Sequence, residues 1–280
     1  MPKFNTLLAA GVATLLSACT MGAVNLLVPK TGYGVHGDLA FGPDPRQRLD
    51  IYVPGNLKGP APVLLFLYGG AWQSGSRTDY RAFGQAFASA GIIAVVADYR
   101  LYPQVKYRAF AEDAAAALAW LHAHVAQYGG DPDRIFVSGH SAGAYNAVMV
   151  ASEPKFIEGK GGRLGWMRGV IGISGPYDFL PMSAPEYIAM FEGTNNLDSM
   201  PLHHVDGKRP PMLLATGTAD DTVDQGNTDR MAEKLRAFGS EVKVIKYPGV
   251  GHIGTILSLV PGFRGKTSLR RDMIDFISSH

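Results

Sequence analysis

Three residues of this 280-residue chain have the types and the setting needed for nucleophilic chemistry: Ser141, Asp220 and His252. Ser141 is the centre of Gly139-His140-Ser141-Ala142-Gly143, a G-x-S-x-G pentapeptide. Arg134 to Val137 before it reads as a buried strand, and Ala142 to Ala151 after it as a helix. A serine on such a strand-to-helix turn has its hydroxyl pushed outward, and the flanking glycines let neighbouring backbones approach. A hydroxyl becomes a useful nucleophile only when an imidazole takes its proton. His252, in Gly249-Val250-Gly251-His252 after an apolar run, suits that task. A carboxylate must then orient the ring, and Asp220 follows the run Met212 to Thr216. Asp221 beside it and Asp178 in Gly175-Pro176-Tyr177-Asp178 are rivals. Asp178 reads better as a cap for a turn or helix.

A second requirement is a set of donors for developing negative charge. Pro62 to Tyr68 reads as a buried strand that runs into Gly69-Gly70-Ala71-Trp72. The amides of Gly70 and Ala71, with that of Ala142 after the serine, are the expected oxyanion hole. Trp72, Tyr177, Phe179 and Tyr187 are expected to line a substrate pocket, with Met190 and Phe191 as further candidates. No basic cluster accompanies them, so an anionic substrate is not expected.

These residues require a particular scaffold. Apolar runs at Ile92–Asp98, Arg134–Val137, Gly169–Ser174, Met212–Thr216 and Val242–Tyr247 alternate with helical stretches over 79–90, 107–128, 228–238 and the end of the chain. Gln47 to Val53 reads as an antiparallel strand. Such alternation implies an α/β fold with a mostly parallel sheet covered on both faces, and reactive groups then gather at the carboxyl ends of strands. The chemistry-bearing residues appear in the order Ser, Asp, His, each after such a strand. Segments 153–168 and 177–210 fit the alternation badly and are expected to form a small cap within a catalytic domain of residues 32–280.

Net charge of +2 with interspersed signs argues against a nucleic-acid surface. His203-His204 with Asp206, and His122 with His124, lack the spacing of a helical metal site, and no dinucleotide or P-loop motif is present. Neither a metal nor a cofactor is expected.

The first eighteen residues read as an export signal: Lys3, then the apolar stretch Thr6 to Leu16. It ends in Leu16-Ser17-Ala18-Cys19, which resembles the lipobox of bacterial lipoproteins. Cys19 is the only cysteine, so no internal disulfide can form. The resemblance implies a lipidated Cys19, a linker over 19–31 and a place in the bacterial cell envelope, with Thr20 leaning toward the outer membrane.

The motifs G-G-A-W-x-x-G, D-Y-R-L-Y-P (Asp98 to Pro103), G-H-S-A-G and G-x-G-H together resemble the α/β-hydrolases of the carboxylesterase, hormone-sensitive-lipase-like and arylformamidase-like group. The resemblance runs from about Asp50 to the C-terminus. It implies a serine carboxylesterase acting on esters, with short acyl chains expected. An arylformamidase-type amidase is the alternative, since G-H-S-A-G-A is shared with that group. A non-catalytic envelope-binding lipoprotein is a further one. One departure stands out: the group usually carries His-Gly-Gly, and here Tyr68 replaces the histidine.

Overall fold

Strands dominate the interior of the computed structural model, which describes Asn25 and residues 28–280. The predicted signal, linker start and Cys19 lie outside the described residues. Eight strands form one sheet in the order β1-β2-β4-β3-β5-β6-β7-β8. They are β1 (Tyr33–Ala40), β2 (Arg48–Pro54), β3 (Ala61–Leu67), β4 (Ile93–Ala97), β5 (Gly130–His140), β6 (Met167–Ile173), β7 (Met212–Gly217) and β8 (Val242–Tyr247). β2 pairs antiparallel with both β1 and β4, and every later neighbour is parallel. The sequence shows β2 clearly but not β1, whose residues are mostly exposed and give little hydrophobic signal. β3, β4 and β6 are almost wholly buried, which is why they read as unbroken apolar runs.

The helices are α1 (Arg81–Ala88), α2 (Tyr107–His124), α3 (Ala142–Ser152), α4 (Lys155–Glu158), α5 (Pro185–Met190), α6 (Gly226–Ala237), α7 (His252–Leu257) and α8 (Leu269–Ser279). Two predicted helices are shorter than expected. The stretch 79–90 opens as a 3-10 turn at Arg77–Tyr80, capped by Ser76, before α1 begins. The stretch 107–128 leaves α geometry after His124 and tightens into a 3-10 turn closed by left-handed Gly129. Residues 252–257 form a short helix where the sequence suggests only a loop.

The fold delivers three strand ends to one side. Ser141 follows β5, Asp220 lies three residues beyond β7, and His252 opens α7 beyond β8. Segment 177–210 crosses the same edge through α5. Segment 153–168, with α4, contributes no residue to the pocket around Ser141.

Candidate active site

The turn carrying Ser141 is built by exclusion of side chains. Ser141 has φ 54° and ψ −122°, a conformation that L-residues rarely adopt and that costs on the order of 1–3 kcal/mol. A Cβ on Gly139 would stand 2.2 Å from the Gly143 backbone, and one on Gly143 would stand 2.0 Å from the Leu67 carbonyl oxygen. The elbow therefore fits only against the end of β3 and only with glycine at both flanks. The Ser141 amide donates to the Ile173 carbonyl at 2.9 Å, fixing the turn to β6 as well.

His252 and Asp220 are joined directly. The ring Nδ1 lies 2.8 Å from Asp220 Oδ2 and 3.0 Å from Oδ1. Asp220 is held in place by the Val223 amide at 2.9 Å and the Thr222 amide at 3.1 Å, both donating to Oδ1. Burial alone would raise the Asp220 carboxyl. The His252 hydrogen bond and charge outweigh it, with those two amides, and hold it below the ordinary carboxylate value. Asp221, the adjacent rival, is exposed. Asp178 lies 3.6 Å from His203 and 3.5 Å from Arg230 rather than capping a helix, and it lines the pocket.

The backbone of His252 is anchored from below. Its carbonyl accepts from Thr255 Oγ1 at 2.6 Å and from His140 Nε2 at 3.2 Å. The two imidazoles face each other with centroids 4.7 Å apart. Burial, and then the nearby His252, push His140 down to about 3, so it stays neutral. Sequence reasoning passes over His140 as the variable residue of the pentapeptide. Its ring is also 3.1 Å from the place a Cβ on Gly69 would occupy, as Ser141 Cβ is at 3.0 Å, so these groups converge. Ser141 Oγ donates no hydrogen bond to a described residue, a loose arrangement common before substrate is bound.

The expected oxyanion donors lie beside Ser141 in an unusual turn. Gly70, Ala71 and Trp72 have successive positive φ values of 132°, 51° and 59°. The Gly70 carbonyl accepts from the Gln73 and Ser74 amides at 2.9 and 3.1 Å. The amides of Gly70, Ala71 and Ala142 donate to no described residue. A run of free N–H groups in such a turn, joined by the first N–H of an eleven-residue helix, is a concavity suited to negative charge.

Tyr68 occupies the position where the resembling group has histidine, and its surroundings explain the change. The side chain is fully buried between Tyr80 and Tyr99, with ring centroids 5.5 and 5.0 Å away. Its hydroxyl donates to Asp98 at 2.7 Å and accepts from Arg46 at 2.7 Å. Asp98 is also bound by the Arg77 amide and guanidinium. Tyr68 thus roots the loop in a polar network behind it and leaves the backbone amides free.

A cavity of about 410 Å³ opens beside Ser141. One wall is apolar, made by Trp72, Phe179, Leu180 and Tyr187; the other carries Asp178, Asp224, Asn227 and Arg230. Ala71 and Ala142 line it too. Trp72 is pinned by a hydrogen bond from Nε1 to Asn146 Oδ1 at 3.0 Å and by the edge of Phe191. Tyr177 departs from expectation. Its side chain is fully buried and turned over Gly172 of β6, where a Cβ would stand 2.0 Å from the hydroxyl, so it supports the sheet rather than the pocket. Met190 and Phe191 are likewise in the core. Arg230, which the sequence does not single out, does reach the pocket.

The histidine pairs set aside as metal ligands are dispersed: His204 contacts Glu153 at 2.9 Å, and His122 stacks on Trp166. Among the described residues, no group of three or more His, Cys, Asp and Glu side chains is arranged to hold a metal.

An eight-stranded, mostly parallel sheet with a serine elbow after β5 and an Asp–His pair after β7 and β8 defines an α/β-hydrolase. Comparison with known proteins narrows this further. Residues 49–235 match the BD-FAE family, to which the chain belongs. The probable isoprenylcysteine alpha-carbonyl methylesterase ICMEL1 of Arabidopsis thaliana is 32% identical over 80% of this chain and 52% of its own length. Esterase LipC of Mycobacterium tuberculosis is 31% identical over 76% of this chain and 58% of its own. The chain thus spans somewhat over half the length of these curated relatives. Among solved structures, Thermogutta terrifontis esterase 2 phosphorylated by paraoxon superposes with a TM-score of 0.64 at 27% identity, covering 80% of this chain and 85% of that one.

Proposed function

We propose that the protein is a serine carboxylesterase that hydrolyses carboxylic esters of short acyl chain through an acyl-enzyme on Ser141. The observation that carries this reading is Ser141 in a strained elbow beside three free backbone amides, with the buried Asp220–His252 pair beyond the ends of β7 and β8. Ser141 Oγ attacks the ester carbonyl carbon and its proton passes to His252 Nε2, while Asp220 stabilises the resulting imidazolium. The tetrahedral oxyanion is received by the amides of Gly70, Ala71 and Ala142. His252 returns the proton to the leaving alcohol, then activates a water that releases the carboxylic acid. Trp72, Phe179 and Tyr187 offer an apolar wall to the acyl group, and the modest cavity supports a short chain.

The test is hydrolysis of p-nitrophenyl acetate, butyrate, octanoate and palmitate by the wild type and by Ser141→Ala. Rates should be highest on the short esters and fall by about 10³-fold or more in the variant. Activity that survives in the variant would overturn the assignment of Ser141. No ester hydrolysis by folded wild type, with turnover of an aryl formamide, would move the reading to the amidase.

The lipobox-like Leu16-Ser17-Ala18-Cys19 supports a second part of the proposal. The protein is lipidated on Cys19 and held on the bacterial cell envelope.

A further inference from the structure

Two arginines outside the cavity beside Ser141 share a pocket and form no ion pair with a described residue. Arg264 donates to the Leu259 carbonyl at 3.2 Å and to Gln85 Oε1 at 2.7 Å. Arg270 donates to the Ala86 carbonyl at 2.8 Å and to Ser89 Oγ at 3.2 Å. All four acceptors are neutral, and neither guanidinium forms an ion pair with a described residue. Residues 1–24, 26 and 27 contain no Asp or Glu, so they cannot supply one. Burial lowers the pKa of both groups, and Arg270's charge lowers that of Arg264 further. Two half-buried like charges side by side are costly unless an anion joins them. Arg264, Gly265, Thr267, Ser268, Arg270 and Arg271 line a cavity of about 390 Å³ there. Exposed Lys266 and Arg271 extend the positive surface.

The place of this pocket relative to the start of the described chain indicates the anion. Asn25 Oδ1 accepts from the Ala82 amide at 3.2 Å, and its Nδ2 donates to the Thr78 carbonyl at 2.8 Å. Arg270 meets the same helix, α1, at the Ala86 carbonyl. Ala82 and Ala86 are one turn apart, roughly 6 Å along the axis. Cys19 is six residues before Asn25, which bounds its distance from Asn25 at about 20 Å.

We propose that the Arg264–Arg270 pocket binds the phosphate of anionic lipid headgroups, bringing the exposed Lys266 and Arg271 beside it against the membrane. The choice of lipid over free phosphate rests on the reading of Cys19 as an anchor. A cation near an anionic bilayer contributes roughly a five-fold gain in partitioning, and that gain is screened by salt.

The experiment uses the full chain with Cys19→Ser, so that no acyl group attaches, sedimented with vesicles of phosphatidylcholine alone or mixed with phosphatidylglycerol. Retention on the anionic vesicles should exceed that on the neutral ones by roughly ten-fold at low salt and decline as salt is added. Arg264→Gln with Arg270→Gln should remove most of that excess. Those arginines also brace α1, so Lys266→Gln with Arg271→Gln, two exposed positions, provides a fold-neutral second arm, each pair checked by circular dichroism. Equal retention on both vesicles, or an excess untouched by both double variants, would overturn the proposal. A rise in Tm with inorganic phosphate but no vesicle preference would make the pocket a free-anion site and overturn the membrane assignment. Vesicle preference in a protein whose wild type proves unlipidated would keep the headgroup site and discard the anchor.

Discussion

His140 is the residue whose chemistry is most constrained by its neighbours. In the proposed mechanism it must be neutral, because a cation with its ring 4.7 Å from that of His252 would oppose the imidazolium that proton transfer from Ser141 would create. Its folded-state value of about 3 lies below the ordinary histidine value of about 6.5. Between these limits the unfolded chain takes up a proton that the folded chain refuses, so stability falls as pH falls from about 6.5 toward 3. Asp220 has the depressed carboxyl, so its contribution is lost only below about pH 4 and leaves the upper part of that window to His140. Thermal melts of wild type and His140→Gln between pH 7 and pH 4 should therefore converge or cross, with the wild type losing more Tm on acidification. Parallel curves would show that His140 is not the acid-sensitive group. Residues of this kind are hard to read in sequence. Ser141, Asp220 and His252 stand out because each follows a strand. Nothing in the pentapeptide announces that the variable histidine packs against His252. The side to which Tyr177 turns is equally silent, since an aromatic after a strand looks the same whichever face receives it.

At the scale of elements, the elbow between β5 and α3 is a three-body fit with the end of β3. Gly143 is the contact point, because its Cα lies under the Leu67 carbonyl. Gly143→Ala would place a methyl group 2.0 Å from that oxygen. Backbone on both sides leaves little room for relaxation, so the expected result is a loss of about 3 kcal/mol or more of stability. Denaturant melts would measure it, and a variant of wild-type stability would show that α3 can shift away from β3. The parallel strands themselves are legible because burial on both faces writes continuous apolar runs. β1 escapes notice because it is an exposed edge, paired on one side only. The expected cap is mixed in the same way: 177–210 reaches the pocket through Phe179, Leu180 and Tyr187, whereas 153–168 does not, although both depart from the strand alternation.

At the scale of the whole molecule, strand ends bring Ser141, Asp220 and His252 to one side of the sheet, and α1 receives both Asn25 and Arg270. If Cys19 carries lipid, replacing it with serine should move the protein from the membrane fraction to the soluble fraction of cells while leaving its specific activity on a soluble short-chain ester unchanged. An unchanged distribution would remove the anchor from the proposal. The α/β architecture is visible at this scale from the sequence alone. The arginine pocket is not, because Gln85, Ala86 and Arg270 come together only when the last helix docks against α1.

The backbone angles at position 141 carry a consequence for how this protein would evolve under different demands. Serine there is held at φ 54°, a shape glycine takes without penalty. Ser141→Gly is therefore expected to melt at a higher temperature than wild type, by an amount corresponding to about 1 kcal/mol, while hydrolysing no ester. Equal or lower Tm would show that the turn stores no tension. A population selected only for heat endurance would drift toward glycine at this position and end as durable, inert proteins. The tension persists only where hydrolysis is selected along with endurance.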